Sequence, residues 1–243
     1  MNQSFPQQAL DALDALYDSD EIWLFGSHAT GRARPDSDWD ILVLLTGDAE
    51  KGRHSAVPGN EILEKAGLRG DVHYMQSDVF HASGPVANSL SRMIGNDRIL
   101  LYRRAGYSPS VMTPAEAKER FVGTLKSEAS EYLAAASVLS GKHFGRINLL
   151  RVAVRSVLVA MLTKADDHVG SDAYRTGGTM LMFERIPEKH RCDHLRDGIA
   201  LLGTLNSFDL AEDTEAVPRH SGDEDAVLDR LQTAIDYLLR EHL

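Results

Sequence analysis

Apolar positions in the first hundred residues alternate between helical and strand spacing. Over residues 10–17 they recur at intervals of three and four, which predicts one face of an amphipathic helix. Short continuous apolar runs follow, separated by polar stretches rich in Gly, Pro, Asp and Ser, and such runs predict buried strands. Three runs are strong and the fourth is weaker: residues 22–25, 41–45, 72–75 and 99–102.

The second half of the chain shows helical spacing only. A helix is predicted to begin after residue 113. Thr113 is a suitable N-cap, Pro114 suits the first helical position, and Glu116 completes a capping box. The run 147–162 is apolar on nearly all sides, which predicts a buried central helix. About five helices are predicted in all: residues 121–139, 147–162, 178–184, 192–205 and a last one from the capping box at Ser221 to Glu224.

These patterns predict an α+β chain with two domains. Residues 1–105 are expected to form a small mixed sheet with flanking helices, and residues 106–113 a linker. Residues 114–243 are expected to form an all-α helical bundle.

Composition narrows the class of protein. The 243 residues are 43% hydrophobic and 26% charged, which is typical of a soluble globular protein. Lys and Arg number 26 against 36 Asp and Glu, and the net charge of −10 argues against general binding of DNA or of anionic membranes. A single cysteine, Cys192, excludes an internal disulfide, and the N-terminus has no signal-peptide pattern, so a cytoplasmic location is expected.

The candidate binding and catalytic residues lie around the first two strands. Gly26 and Ser27 follow the first strand, where backbone N–H groups and a hydroxyl can hold a phosphate. Asp38 and Asp40 flank Trp39 at the start of the second strand, so both carboxylates are expected on one face, and such pairs suit Mg²⁺. The alternative is that these aspartates simply lie on a solvated loop rim, which is the commoner role of an Asp-x-Asp pair without further context.

A third carboxylate strengthens the interpretation of this pair as a site. Asp71 begins the strand at 72–75, and an adjacent strand would bring it beside Asp38 and Asp40. Its alternative role is that of a residue that simply starts a strand.

The arrangement resembles the signature of the DNA polymerase beta-like nucleotidyltransferase superfamily, most closely its minimal and kanamycin nucleotidyltransferase-like members. That signature is Gly-Ser, ten residues, then Asp-x-Asp between apolar strands. The resemblance implies that Gly26 and Ser27 contact a triphosphate and that Asp38 and Asp40 hold two Mg²⁺ ions. It also implies that Asp71 completes the metal site or acts as a base.

The reaction implied by the resemblance is attack of an acceptor hydroxyl on the α-phosphate of a nucleoside triphosphate, with release of pyrophosphate. ATP is the expected donor. Arg32 and Arg34 either neutralise phosphates or form simple ion pairs, and His28 stands where many relatives carry arginine. The acceptor stays open between a small molecule, a protein and RNA, and the acidity of the chain mildly favours a cationic small molecule.

The helical half is similar to the HEPN domain (higher eukaryotes and prokaryotes nucleotide-binding). Relatives with this arrangement are often dimers, so a homodimer is a further expectation of the resemblance. One alternative function is a non-catalytic nucleotide sensor or regulatory module of the toxin–antitoxin type. A second alternative is an HEPN ribonuclease, which the spacing of Arg185 and His190 would allow.

Overall fold

The computed structural model describes residues 5–46, 56–109, 112–139, 144–169, 178–206 and 223–243. The chain divides into two compact units, Met1–Ala117 and Lys118–Leu243. Each unit has its own hydrophobic core, and the first contains a sheet whereas the second is helical. The fold class predicted from the hydrophobic pattern is confirmed.

The first unit is built on a four-stranded mixed sheet. The strands lie in the order β3-β2-β1-β4, with β2 parallel to β3 and the other neighbours antiparallel. The three strong apolar runs and the weaker fourth run all form strands, as predicted. Their bounds are β1 Glu21–Phe25, β2 Trp39–Leu45, β3 Gly70–Gln76 and β4 Ile99–Arg103.

Helices cover both faces of this sheet. On one face, Leu13 and Leu63 of the helices pack against Ile41 of the central strand, and on the other face Phe80 and Ile94 form a smaller cluster. Because β2 is buried from both sides, its sequence is a continuous apolar run rather than an alternating one. The helices of this unit are α1 Gln7–Tyr17, α2 Gly26–Ala29, α3 Ala56–Lys65, α4 Ser77–Ala82 and α5 Leu90–Ile94.

The second half contains the five predicted helices. The capping box at the start of the first is present, since Glu116 Oε2 accepts a hydrogen bond from the Thr113 N–H at 2.8 Å. The second predicted capping box, at Ser221, lies outside the described residues. The helices are α6 Pro114–Ser137, α7 Phe144–Lys164, α8 Gly178–Arg185, α9 Asp193–Asn206 and α10 Asp223–Glu241, with a 3-10 turn at Glu188–His190.

Helix α7 is the centre of the helical unit, as its nearly uniform apolar sequence predicted. Leu150, Leu158 and Leu162 are fully buried in the core that this helix shares with α8, α9 and α10. Arg151 donates hydrogen bonds to Asn148 Oδ1 at 2.9 Å and to the carbonyl of Leu202 at 3.0 Å, so both of its terminal nitrogens are bonded within the bundle. Within the described ranges, no helix is both long and apolar enough to cross a membrane.

Replacing Gly198 with alanine is expected to destabilise the helical unit. A Cβ at Gly198 would lie 2.6 Å from Leu231 Cβ, where α9 packs on α10, and relieving such overlap costs roughly 1–3 kcal/mol. Gly203→Ala in the same helix is the matched control, because a Cβ there meets nothing within 4 Å and alanine favours the helix by about 1 kcal/mol. Urea unfolding midpoints compare the two variants, and equal midpoints would contradict this packing.

Candidate active site

The turn after β1 brings the backbone against the Asp40 carboxylate. Gly26 has a φ of +69°, a conformation that residues with a side chain rarely adopt. A Cβ at Gly26 would clash with Asp40 Oδ2 and lie 2.9 Å from Asp40 Cγ. Glycine is therefore required here both for its backbone conformation and for the space that it leaves.

The sheet places Asp40 and Asp71 side by side. Asp40 pairs with Phe25 on one side and with Asp71 on the other. Residues paired across neighbouring strands point to the same face, and neighbouring strands lie about 4.8 Å apart. Asp40 and Asp71 are thus adjacent on one face of the sheet, next to the turn at Gly26.

Asp38 forms an ion pair that the sequence did not predict. It lies one residue before β2 and forms an ion pair with Arg69, whose carbonyl accepts the Trp39 N–H at 2.8 Å. This hydrogen-bonded guanidinium holds the pKa of Asp38 below its usual range. The structure therefore brings Asp40 and Asp71 together and directs Asp38 to Arg69.

The Asp40 carboxylate lies in an environment that disfavours its charge. Burial raises the pKa of Asp40, and the negative charges of Asp71 and Asp38 raise it further. The imidazoles of His73 and His28 act in the opposite direction without cancelling these effects. A cation next to Asp40 would therefore relieve both the desolvation and the repulsion.

The donor chemistry at this end of the sheet fits Mg²⁺, which prefers carboxylate oxygens and keeps several of its water ligands. Asp40 and Asp71 are adjacent carboxylates, and the charge of Asp40 lacks full compensation. In the part of the chain that the structure describes, however, no three His, Cys, Asp or Glu side chains are already arranged to hold a metal ion. The Asp38 carboxylate contacts Arg69 through Oδ1.

His28 stabilises the loop between the two halves of the motif. Its ring stacks on the indole of Trp39 with 4.0 Å between centroids and an interplanar angle of 15°. Its Nε2 lies 3.1 Å from the carbonyl oxygen of Ser37, at the far end of the loop. His28 therefore has a packing role in this loop.

The two loop arginines present free guanidinium groups. Arg32 and Arg34 are exposed, and only their backbone atoms are held, since the Arg32 N–H bonds the Ser27 carbonyl at 2.9 Å and the Arg34 N–H bonds Ser37 Oγ at 2.8 Å. Neither side chain forms an ion pair with any of the described residues. The alternative in which they are simple ion-pair partners has no support in this loop.

Three further residues at the site were not predicted from the sequence. Asn60 of α3 accepts the Val72 N–H at 2.8 Å through Oδ1, and its Nδ2 lies 3.4 Å from Asp71 Oδ1. His73 follows Asp71 by two residues, and Arg69 precedes β3. Strand alternation alone would have placed His73 on the face of Asp71, whereas Asn60 and Arg69 depend on tertiary contacts.

The helical unit contains a cavity of about 1080 Å³, lined by α6, α7 and α10. Its lining contains two ion pairs: Arg146 contacts Asp229, and Arg240 Nη2 lies 2.9 Å from Asp236 Oδ2. No residue predicted as part of the site lines this cavity. It is a groove of the helical unit that is lined by both polar and apolar side chains and has largely balanced charges.

The two residues of the ribonuclease alternative have separate partners. Arg185 Nε donates to Asp167 Oδ2 at 3.0 Å, and Arg185 Nη2 donates to the His168 carbonyl at 3.1 Å. His190 packs against His242 with 4.1 Å between ring centroids, and burial lowers the pKa of its imidazole. The guanidinium of Arg185 is thus bound by Asp167 rather than directed to His190.

Comparison with known proteins finds a family match within the first unit. Residues 7–100 match the family model of the nucleotidyltransferase domain, which confirms the prediction of a nucleotidyltransferase enzyme. No curated protein sequence matches the chain significantly. Among solved structures, a spectinomycin adenyltransferase, AAD(9), from Enterococcus faecialis with ATP and spectinomycin aligns over 96% of this chain and 100% of that chain. Its identity is 10% and its TM-score is 0.35.

Gly26→Ala is expected to destabilise the first unit more than Gly31→Ala. Both glycines have a positive φ, +69° and +71°, so both variants carry the strain of that conformation, roughly 1–2 kcal/mol. Only at Gly26 does the added Cβ meet the Asp40 carboxylate, since nothing lies within 4 Å of a Cβ at Gly31. Denaturant unfolding of the two variants measures the difference in their free energies of unfolding. An equal loss of stability in both variants would show that the contact between Gly26 and Asp40 does not limit the residue at position 26.

Asp40→Asn is expected to raise the melting temperature of the cation-free protein at about pH 8. Because the pKa of Asp40 is raised in the folded state, its charge lowers stability as the pH rises through that pKa, and the variant loses its advantage in acid. A gain of 1 kcal/mol corresponds to roughly 2–4 °C for a protein of this size. Melting curves in EDTA between about pH 4 and pH 8 measure it.

Asp38→Asn is the control for this experiment. This variant loses the ion pair with Arg69, and the Asp38 carboxylate is not destabilised by burial in the wild type. No comparable rise in melting temperature is therefore expected. A melting temperature of Asp40→Asn at or below that of the wild type at pH 8 would contradict the electrostatic description of the site.

Proposed function

We propose that the protein transfers a nucleoside monophosphate, AMP from ATP in the first instance, to an acceptor hydroxyl and releases pyrophosphate. The observation that carries the proposal is the pair of adjacent carboxylates, Asp40 and Asp71, on one sheet face against the Gly26 backbone. These residues lie inside the segment that matches the nucleotidyltransferase domain.

In this proposal the donor triphosphate lies along the turn after β1. Gly26 offers a backbone without a side chain, and Ser27 adds an N–H group and a hydroxyl for phosphate oxygens. Arg32 and Arg34 extend from the following loop with no ion-pair partner among the described residues, so their guanidinium groups are available to neutralise phosphates. The nucleotide is thus held mainly by backbone groups and loop cations.

Asp40 and Asp71 would hold Mg²⁺, and Asp38 would join them after exchanging Arg69 for the cation. Two bound Mg²⁺ ions would neutralise the charge that develops on the attacking and leaving oxygens. The elevated pKa of Asp40 supports this assignment, because the carboxylate gains from a nearby cation. In the cation-free protein, Arg69 keeps Asp38 ionised and oriented.

The chemical step proposed here is an in-line displacement. The acceptor hydroxyl oxygen forms a bond to the α-phosphorus while the bond from that phosphorus to the α,β-bridging oxygen breaks. Asp71 accepts the proton of the hydroxyl, and pyrophosphate leaves with the electron pair of the broken bond. The chain supplies position and charge rather than a covalent intermediate.

The acceptor is proposed to be a hydroxylated small molecule with positive charge. A net charge of −10 attracts cations and repels polyphosphates such as RNA, so this acceptor class is favoured over an RNA or a protein hydroxyl. The helical unit is proposed to be HEPN-like, and the enzyme is proposed to be cytoplasmic. Neither the sensor nor the ribonuclease alternative is favoured by a specific contact in the described part of the chain.

Pyrophosphate release is expected to require both Mg²⁺ and Asp40. The assay offers each of the four nucleoside triphosphates with a panel of aminoglycosides, a tRNA pool and the protein itself as acceptors. Asp40→Asn is expected to lower the rate about a hundredfold or more, as loss of a charged group at a reacting centre does. Asp36→Asn, an exposed position in the same acidic loop, is the matched control and should retain the wild-type rate.

The outcomes separate the competing functions. Mg²⁺-dependent release that Asp40→Asn lacks establishes nucleotidyl transfer and identifies the acceptor that supports it. Nucleotide binding that needs Mg²⁺ but never leads to release with any acceptor would favour the sensor alternative. Metal-independent RNA cleavage that His190→Ala abolishes would favour the ribonuclease.

A further inference from the structure

Arg98 is a partly buried cation whose guanidinium group forms no hydrogen bond with the described residues. Its Cζ lies 4.9 Å from the centroid of the Trp23 ring and 5.0 Å from that of the Phe80 ring. Aromatic rings attract a cation but offer no lone pairs to its N–H groups. The N–H donors of Arg98 are therefore left for another acceptor.

The carboxylate that acts electrostatically on Arg98 has other partners. Glu21 is fully buried, and it accepts hydrogen bonds from Trp23 Nε1 at 3.0 Å and Arg103 Nε at 2.7 Å, with His81 Nε2 at 2.7 Å. Burial lowers the pKa of Arg98, and the charge of Glu21 opposes this only from a distance. An anion in direct contact would offset the desolvation of the guanidinium group.

The strand register places Arg98 at the end of the sheet that carries the carboxylates. Arg98 directly precedes β4, whose first residue, Ile99, pairs with Leu24 of β1. The next residue of β1, Phe25, pairs with Asp40. Arg98 therefore stands two strand spacings from Asp40, about 10 Å between backbones.

The guanidinium group is also on the same face of the sheet as the carboxylates. Trp23 and Phe25 are two residues apart in β1, so their side chains share a face, and Phe25 shares it with Asp40 through the register. Arg98 lies over the Trp23 ring, whereas Asp71 lies on the other neighbouring strand. By backbone position, Arg98 and Asp71 thus stand on opposite sides of Asp40 across one face, and the guanidinium group lies over Trp23, which pairs with Leu42 two residues further along β2 than Asp40.

This order matches the direction of the proposed reaction. In an in-line displacement, the attacking and leaving oxygens stand on opposite sides of the α-phosphorus. We propose that Arg98 binds the β- and γ-phosphates of the donor and hence the pyrophosphate leaving group. This inference rests on the proposed function, in which the acceptor hydroxyl lies at Asp71. The planar guanidinium group matches paired phosphate oxygens, and the two rings restrict its position.

Calorimetric binding to the full-length protein with Mg²⁺ tests the assignment without requiring turnover. The probes are pyrophosphate, AMP and an ATP analogue with a methylene bridge between the α- and β-phosphates. Arg98→Gln is expected to weaken binding of pyrophosphate and of the analogue about tenfold or more, as loss of charge-assisted hydrogen bonds does, and to change AMP binding less than about twofold. Arg98→Lys keeps the charge without the planar donor group and should fall between Arg98→Gln and the wild type.

Arg92→Gln is the matched control. Arg92 is exposed on α5 and donates to the Pro85 carbonyl at 2.9 Å, so its loss should leave all three affinities unchanged. Melting curves of each variant show whether the fold is intact.

Pyrophosphate binding by Arg98→Gln that equals the wild type would overturn the assignment while the proposed function stands. An equal loss of AMP and pyrophosphate binding would also overturn it, because Arg98 would then act through the nucleoside site or the fold. If the wild type binds neither the analogue nor pyrophosphate, the proposed function fails and this assignment fails with it.

Discussion

The approach of the Gly26 backbone to the Asp40 carboxylate is the constraint on which the rest of the site depends. It requires a residue without a side chain and with a positive φ at the end of β1, and it requires β1 and β2 to pair with Phe25 opposite Asp40. That register also sets the face of every other residue of the sheet, because side chains alternate along each strand. A slip of one residue would turn Asp40 into the core and remove the carboxylate from the turn.

Charge distribution distinguishes this end of the sheet, the candidate site, from the rest of the first unit. Asp40 is partly buried next to two other carboxylates, and only Arg69 forms an ion pair with any of the three among the described residues. Burial and the neighbouring carboxylates raise the pKa of Asp40, so its charged form is disfavoured in the folded protein. Destabilising charge of this kind is common where a protein binds a ligand of opposite charge.

The two faces of the sheet differ in the size of their apolar clusters and in the charged residues that they contain. One face packs against α1 and α3 and contains Ile22, Ile41 and Val72 in a continuous apolar core. The other face has a smaller apolar cluster around Phe80, and it also contains Asp40 together with the buried carboxylate of Glu21. The first face supplies most of the apolar burial of this unit, which leaves the second face free to contain charged groups that pack less well.

Local patterns in the sequence determined the elements of this protein and the residue types of its site. Apolar runs predicted the four strands, helical spacing and a capping box predicted the helical half, and the spacing of Gly26, Ser27, Asp38 and Asp40 indicated the chemistry. These features depend on neighbours within a few residues, which a sequence displays directly. Tertiary structure alone decided that Asp38 pairs with Arg69, that Asn60 supports Asp71, and that Arg98 lies over Trp23. Each of these contacts joins residues that are separated in the chain, and only the strand order, the register and the packing of α3 on the sheet bring them together.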